Sequence, residues 1–274
     1  METFFRIVAA VFKKDFKILM RYKLNLLMTV FSVAIYCTVI FFMSETFTFK
    51  ELGYETILSD KTFLFFLTGI MLIDLTITCS SSLPLTVSFY QTSGIFDEII
   101  SKQKNFFITI IASIALPFCI SMVKFCIYLL FSSYIFGLNL TLDTQMMMIL
   151  PLLIIYMLSI LGIGLIAASI TVIFKRGNPI IQINNILTAT IAGTFIPSYQ
   201  FGSIISSLSE FLPAKVFIDA VRLTMETTDI YNSYDLLTKL FYLAAISSII
   251  LLIGFYSFYK TTNYAKIKNI ISDY

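Results

Sequence analysis

The stretch Leu24-Asn25-Leu26-Leu27-Met28-Thr29-Val30-Phe31-Ser32-Val33-Ala34-Ile35-Tyr36-Cys37-Thr38-Val39-Ile40-Phe41-Phe42-Met43 runs twenty residues without a charge. A bilayer core is about 30 Å thick and an α-helix rises 1.5 Å per residue, so about 20 apolar residues cross it. Five more long apolar runs follow, two of them holding a single charge, and together they predict spans at about 24–43, 63–85, 106–136, 146–174, 179–197 and 240–259. Composition agrees: 13% of the 274 residues are charged and 58% hydrophobic, with mean hydropathy +0.90. A soluble domain carries about a quarter charged residues, so much of this surface faces an apolar medium. The expected fold class is all-α, a polytopic membrane protein of six transmembrane helices in a single domain, 24–274, preceded by a separate segment, 1–23.

Orientation follows from where Lys and Arg fall between spans. Thirteen lie on one side: Arg6, Lys13, Lys14, Lys17, Arg21 and Lys23, then Lys102, Lys104, Lys175, Arg176, Lys260, Lys266 and Lys268. Five lie on the other, spread over much more loop: Lys50, Lys61, Lys215, Arg222 and Lys239. The first side is expected to be cytoplasmic, with both termini there. The third and fourth spans exceed what a bilayer needs, so tilt, a kink or a protruding end is expected, with Pro117 inside the third.

Residues 1–23 have six basic residues spread through an apolar pattern and do not read as a cleavable leader. At 100° per residue, Arg6, Lys13, Lys14, Lys17 and Arg21 share about 100° of arc, opposite a Phe-rich face. That is the pattern of a helix lying in the inner membrane interface. Asp15 interrupts the apolar arc, either pairing with a cation on the following span or on a partner protein, or snorkelling to water.

The connection Ser198–Lys239 is too long and too patterned for a plain loop. Ile204, Ile205, Leu208, Phe211 and Leu212 recur at helical spacing until Pro213, and Lys215–Met225 resumes the pattern with Asp219 and Arg222 inside it. Each piece is too short to cross, which points to an outer re-entrant hairpin or, more mildly, an amphipathic cap.

Much chemistry is excluded. There is no histidine, and the four cysteines, Cys37, Cys79, Cys119 and Cys126, lie inside apolar runs without CxxC spacing, so no metal or cofactor is expected. No Gly precedes a Lys, which removes the P-loop and nucleotide hydrolysis by this chain. Gly162-Ile163-Gly164 with Ala167 and Ala168 reads as a helix-packing face. Asn139-Leu140-Thr141 fits the glycosylation pattern, a short match of little weight. The net charge of +3 is gathered beside spans rather than on a soluble face, so nucleic acid is not expected as a partner.

Two charges fall within spans, Asp74 in the second and Lys124 in the third. An ionisable group at bilayer depth costs several kcal/mol, roughly, and marks a functional site by default. Asp74 lies about 18 Å along its span by helical rise. The two either face the bundle interior, binding substrate or each other, or Lys124 snorkels to the surface.

Four features together resemble the membrane (permease) subunit of a type II ABC exporter, the family that moves drugs, lipids and polysaccharides outward. They are the basic N-terminal helix with Lys14-Asp15-Phe16-Lys17 and Arg21-Tyr22; six spans with both ends inside; the loop Ser93-Gly94-Ile95-Phe96-Asp97-Glu98-Ile99-Ile100; and Phe211-Leu212-Pro213 followed by Phe217-Ile218-Asp219-Ala220-Val221-Arg222. The loop is similar to the family's Gly-Thr-x-Glu-x-Leu coupling segment, with Ile95 in place of the Thr and without the preceding Arg and Glu. The resemblance implies that Gly94, Asp97, Glu98 and Lys102 couple to an ATPase, and that Pro213, Asp219 and Arg222 belong to the outer hairpin. It implies two copies of a separate P-loop ATPase, a homodimer or a heterodimer with a paralogue, surrounding membrane lipid, and a bacterial or archaeal cytoplasmic membrane. No catalytic residue is expected in this chain. A secondary carrier, or a non-transporting sensor or immunity protein, stands as the alternative; a carrier would show an inverted repeat with interrupted helices.

Overall fold

A computed structural model describes residues 2–46, 59–96, 106–137, 148–174, 178–226 and 231–268. Among them every regular element is helical: α1 Glu2–Arg21, α2 Lys23–Thr46, α3 Ser59–Ser80, α4 Ser82–Thr92, α5 Phe106–Ala112, α6 Ala115–Phe136, α7 Ile149–Phe174, α8 Asn178–Thr190, α9 Ser203–Ser209, α10 Pro213–Glu226 and α11 Tyr231–Lys268, with a 3-10 turn at Ser198–Phe201. Among the described residues five helical stretches are long and apolar enough to cross a membrane: Lys23–Thr46, Thr62–Thr92, Phe106–Phe136, Ile149–Phe174 and Asp235–Ala265.

Prolines explain the breaks within two of these stretches. Pro84 has no N–H to give the carbonyl of Ser80, and Pro117 none for Ser113, so α3 passes to α4 through a single turn residue and α5 gives way to α6 at Ser113–Ile114. At the second break the backbone tightens, with Ser113 N–H donating to Ile110 (3.1 Å) and Ile114 N–H to Ile111 (3.2 Å). Pro151 sits in the first turn of α7, where no helical donor is needed, and α7 runs on unbroken.

The expected fifth span, 179–197, is not confirmed. Its helix, α8, stops at Thr190 after 13 residues, about 20 Å of rise against the 30 Å or so of a bilayer core. Beyond it the chain turns through Gly193, whose φ of 79° is left-handed. The second and sixth spans are longer than expected, reaching Thr92 and covering Asp235–Ala265.

α7 is the centre of the bundle and packs on α3, α4, α8, α10 and, most extensively, α11. Its contact with α11 is backbone on backbone: a Cβ on Gly162 would meet the Ile250 carbonyl oxygen at 2.7 Å. Gly254 returns the contact, its Cβ position lying 2.5 Å from the Gly162 oxygen, so the small-residue face of α7 is a packing face. α2 and α11 are peripheral, with much apolar surface exposed, as on Phe31, Phe42, Leu252 and Ile253. One cluster, with Leu83, Tyr90, Phe106, Leu165, Phe258 and Ala265, gathers the end at which α1 also packs, against α5 and α6; we call it the terminal end. A second, with Leu72, Leu75, Leu152, Tyr156, Phe217 and Val221, fills the opposite half.

Candidate functional site

Asp74 on α3 and Lys124 on α6 meet. The Lys124 ammonium donates to Asp74 Oδ1 at 2.9 Å, and the two side chains stay 19% and 15% exposed. Pairing removes most of the expense of placing either charge in an apolar layer. Residual exposure leaves both within reach of something outside the bundle. Nearby polar contacts stitch α3 to its neighbours: Thr76 with Tyr156 at 2.7 Å, and Cys79 with Ser121 at 3.4 Å.

Below Asp74 the same face of α3–α4 carries Thr78, Ser81, Leu85, Ser88 and Thr92, at steps of four and three residues. All are half-buried or exposed. The stripe ends beside Gly94, which turns the chain with φ 70° and has nothing within 4 Å of a Cβ position, so backbone conformation rather than space calls for glycine there. Asp74 and Gly94 are thus joined by twenty residues of nearly continuous helix, about 30 Å long. Gln91 fastens this rod to α7 by donating to the Thr171 and Val172 carbonyls, both at 3.3 Å. Asp97, Glu98 and Lys102 lie outside the described residues.

At the opposite end, Pro213 opens α10, where a missing N–H is harmless. Asp219 pairs with Lys215 one turn earlier, at 2.6 Å. Arg222 does something sequence reasoning missed. It is 8% exposed, and its Nη1 donates to the Gly193 carbonyl at 2.8 Å, its Nη2 to the Phe65 and Thr194 carbonyls, both at 3.1 Å, and its Nε to Thr68 Oγ1 at 3.3 Å. The guanidinium lies 3.4 Å from the centre of the Phe65 ring. One side chain on α10 therefore ties the turn that ends α8 to α3. A small apolar cavity lined by Thr68, Met71, Leu75, Phe125, Phe217 and Val221 separates this clamp from the Asp74–Lys124 pair.

At the terminal end, Asp15 is on the same side of α1 as the buried Val11, turned toward the bundle, and pairs with Lys14 at 3.1 Å. Burial alone would lower the Lys14 ammonium, but Asp15 and the Tyr90 hydroxyl of α4 outweigh it and hold its pKa above the usual 10.5. Among the described residues no three His, Cys, Asp or Glu converge as a metal site would require.

Family models, curated proteins and solved structures offer no match to this chain.

Proposed function

We propose that this chain is the permease subunit of an ATP-driven exporter of the type II ABC class, working with a separate P-loop ATPase. The observation that carries the reading is the α3–α4 rod. It joins a partly exposed intramembrane ion pair at one end to Gly94, and so to the loop that resembles a coupling segment, at the other. A rod about 30 Å long, locked to α7 through Gln91, turns a push on the loop into movement at mid-membrane. The stripe of Ser and Thr along it suits a wet path or a subunit contact better than lipid, since the lipid-facing stripe of α11 carries Phe241, Ile249, Leu252 and Ile253.

Two further features support the same reading. α10 is wedged into the bundle, with Phe217 stacked 4.6 Å from Tyr156, seven residues or about 10 Å inside the start of α7. That depth suits a re-entrant hairpin. α8 then acts as an incomplete sixth crossing, finished by the Gly193 turn and α9–α10, with both termini in the cytoplasm. The interruptions at Ser81, at Ser113–Ile114 and at the end of α8 are features an ion-driven carrier would share, since interrupted helices there bind ions through freed carbonyls. Here the Gly193 and Thr194 carbonyls are taken by Arg222.

The test is co-purification. Isolated from its own membranes in mild detergent, the chain should bring down a P-loop ATPase in stoichiometric amount. Recovery of the intact chain alone, across several mild detergents, would count against the proposal.

A further inference from the structure

α1 presents three distinct faces. Val11 and Asp15 turn toward the bundle, and Phe5, Phe16 and Met20 form an exposed apolar edge, 67%, 45% and 47% exposed. Beside that edge lie Arg6, Lys13, Lys17 and Arg21, all exposed and within about 80° of arc. Lys14 differs, because its ammonium is held by Asp15 with Tyr90 close by. A positive-inside rule needs only charges somewhere near the span. It does not require four of them to share one face directly alongside an apolar edge, with the fifth, half exposed, paired to Asp15.

We propose that this face of α1 is a docking surface for anionic phospholipid headgroups, read by Arg6, Lys13, Lys17 and Arg21, while Lys14 serves to seat the helix on α4. The apolar edge enters the acyl boundary and the four cations lie at headgroup level, where charge complementarity selects anionic over zwitterionic lipid. This goes beyond an interfacial position for α1: it states which lipid occupies the face and which side chains select it.

The chain contains no tryptophan, so Phe16→Trp places a single indole, excited apart from the tyrosines, on the exposed edge. The variant is reconstituted in vesicles of phosphatidylcholine with a minority of phosphatidylglycerol, brominated on one lipid or the other at constant composition. Brominated phosphatidylglycerol should quench at least about twofold more per mole than brominated phosphatidylcholine. The preference should vanish in about 1 M KCl, where the Debye length falls to about 3 Å. Arg6, Lys13, Lys17 and Arg21 changed together to Gln should also abolish it, whereas Lys14→Gln should leave it intact. Equal quenching by both lipids at low salt overturns the proposal while keeping α1 at the interface. Quenching by neither overturns the interfacial position as well. The salt comparison uses one protein, so a quadruple variant that fails to insert does not rescue the idea.

Discussion

Arg222→Ala should be among the most damaging single substitutions in the distal half of the bundle. The side chain is almost fully buried and gives hydrogen bonds to three carbonyls and a hydroxyl while stacking on Phe65. Hydrogen bonds from a charged group contribute about 1.5–3 kcal/mol each, and a buried acceptor stripped of its donor costs about 1–3 kcal/mol. Some of that is offset because a buried guanidinium no longer has to be desolvated. Counting chiefly the Gly193 and Thr194 carbonyls, which lie past the end of α8, a net loss of about 3–5 kcal/mol is expected. For a chain of this size that is a fall in melting temperature on the order of 10 °C. Cys37 and Cys79 are fully buried, whereas Cys119 and Cys126 are exposed. In a Cys119→Ser/Cys126→Ser background, a thiol-reactive dye therefore reports unfolding in detergent. Arg222→Lys keeps the charge but not the planar fork over Phe65, and should recover less than half of the loss. An unchanged melting temperature in Arg222→Ala would refute the clamp.

Neutralising Asp74 or Lys124 alone, as D74N or K124Q, should destabilise more than the double substitution, with a coupling of about 0.5–3 kcal/mol in a double-mutant cycle; simple additivity would mean the pair is not a unit. Gly162→Leu should separate α7 from α11 and abolish the folded protein, read as loss of the monodisperse species on size exclusion, while Ile163→Ala, a change beside it, should be tolerated. Gly94→Ala, with open space but a left-handed backbone, should cost only about 1–2 kcal/mol in thermal stability.

Long apolar runs make the first and third spans readable, the third in spite of Lys124, because a stretch such as 24–43 has no other stable home. The second span reads too short because Thr86, Ser88, Tyr90, Gln91 and Thr92 lower its hydropathy. Yet Thr86 and Thr92 return their hydroxyls to the Ser82 and Ser88 carbonyls, at 2.8 and 3.0 Å, and the helix continues. The fifth reads too long for the opposite reason: Ile191, Phe195 and Ile196 prolong the apolar run, while what allows it to end is Arg222, 29 residues past Gly193. No local window contains that contact. Asp74 and Lys124 are legible as intramembrane charges, but their pairing depends on the register of α3 against α6, which periodicity in either helix leaves open. Arg222 reads as part of an outer hairpin from the helical pattern around Pro213, but its acceptors are invisible in the sequence because most of them are backbone.

The central claim, that this chain couples to an ATPase through the segment after Gly94, is tested most directly by ATP turnover of the purified complex reconstituted in lipid. Turnover should be found with the chain and its co-purifying subunit together, and charge reversal at Asp97 or Glu98 should lower it while leaving the complex assembled. Turnover indifferent to both reversals, or an intact chain that moves solute down an ion gradient with no ATPase present, would contradict the account.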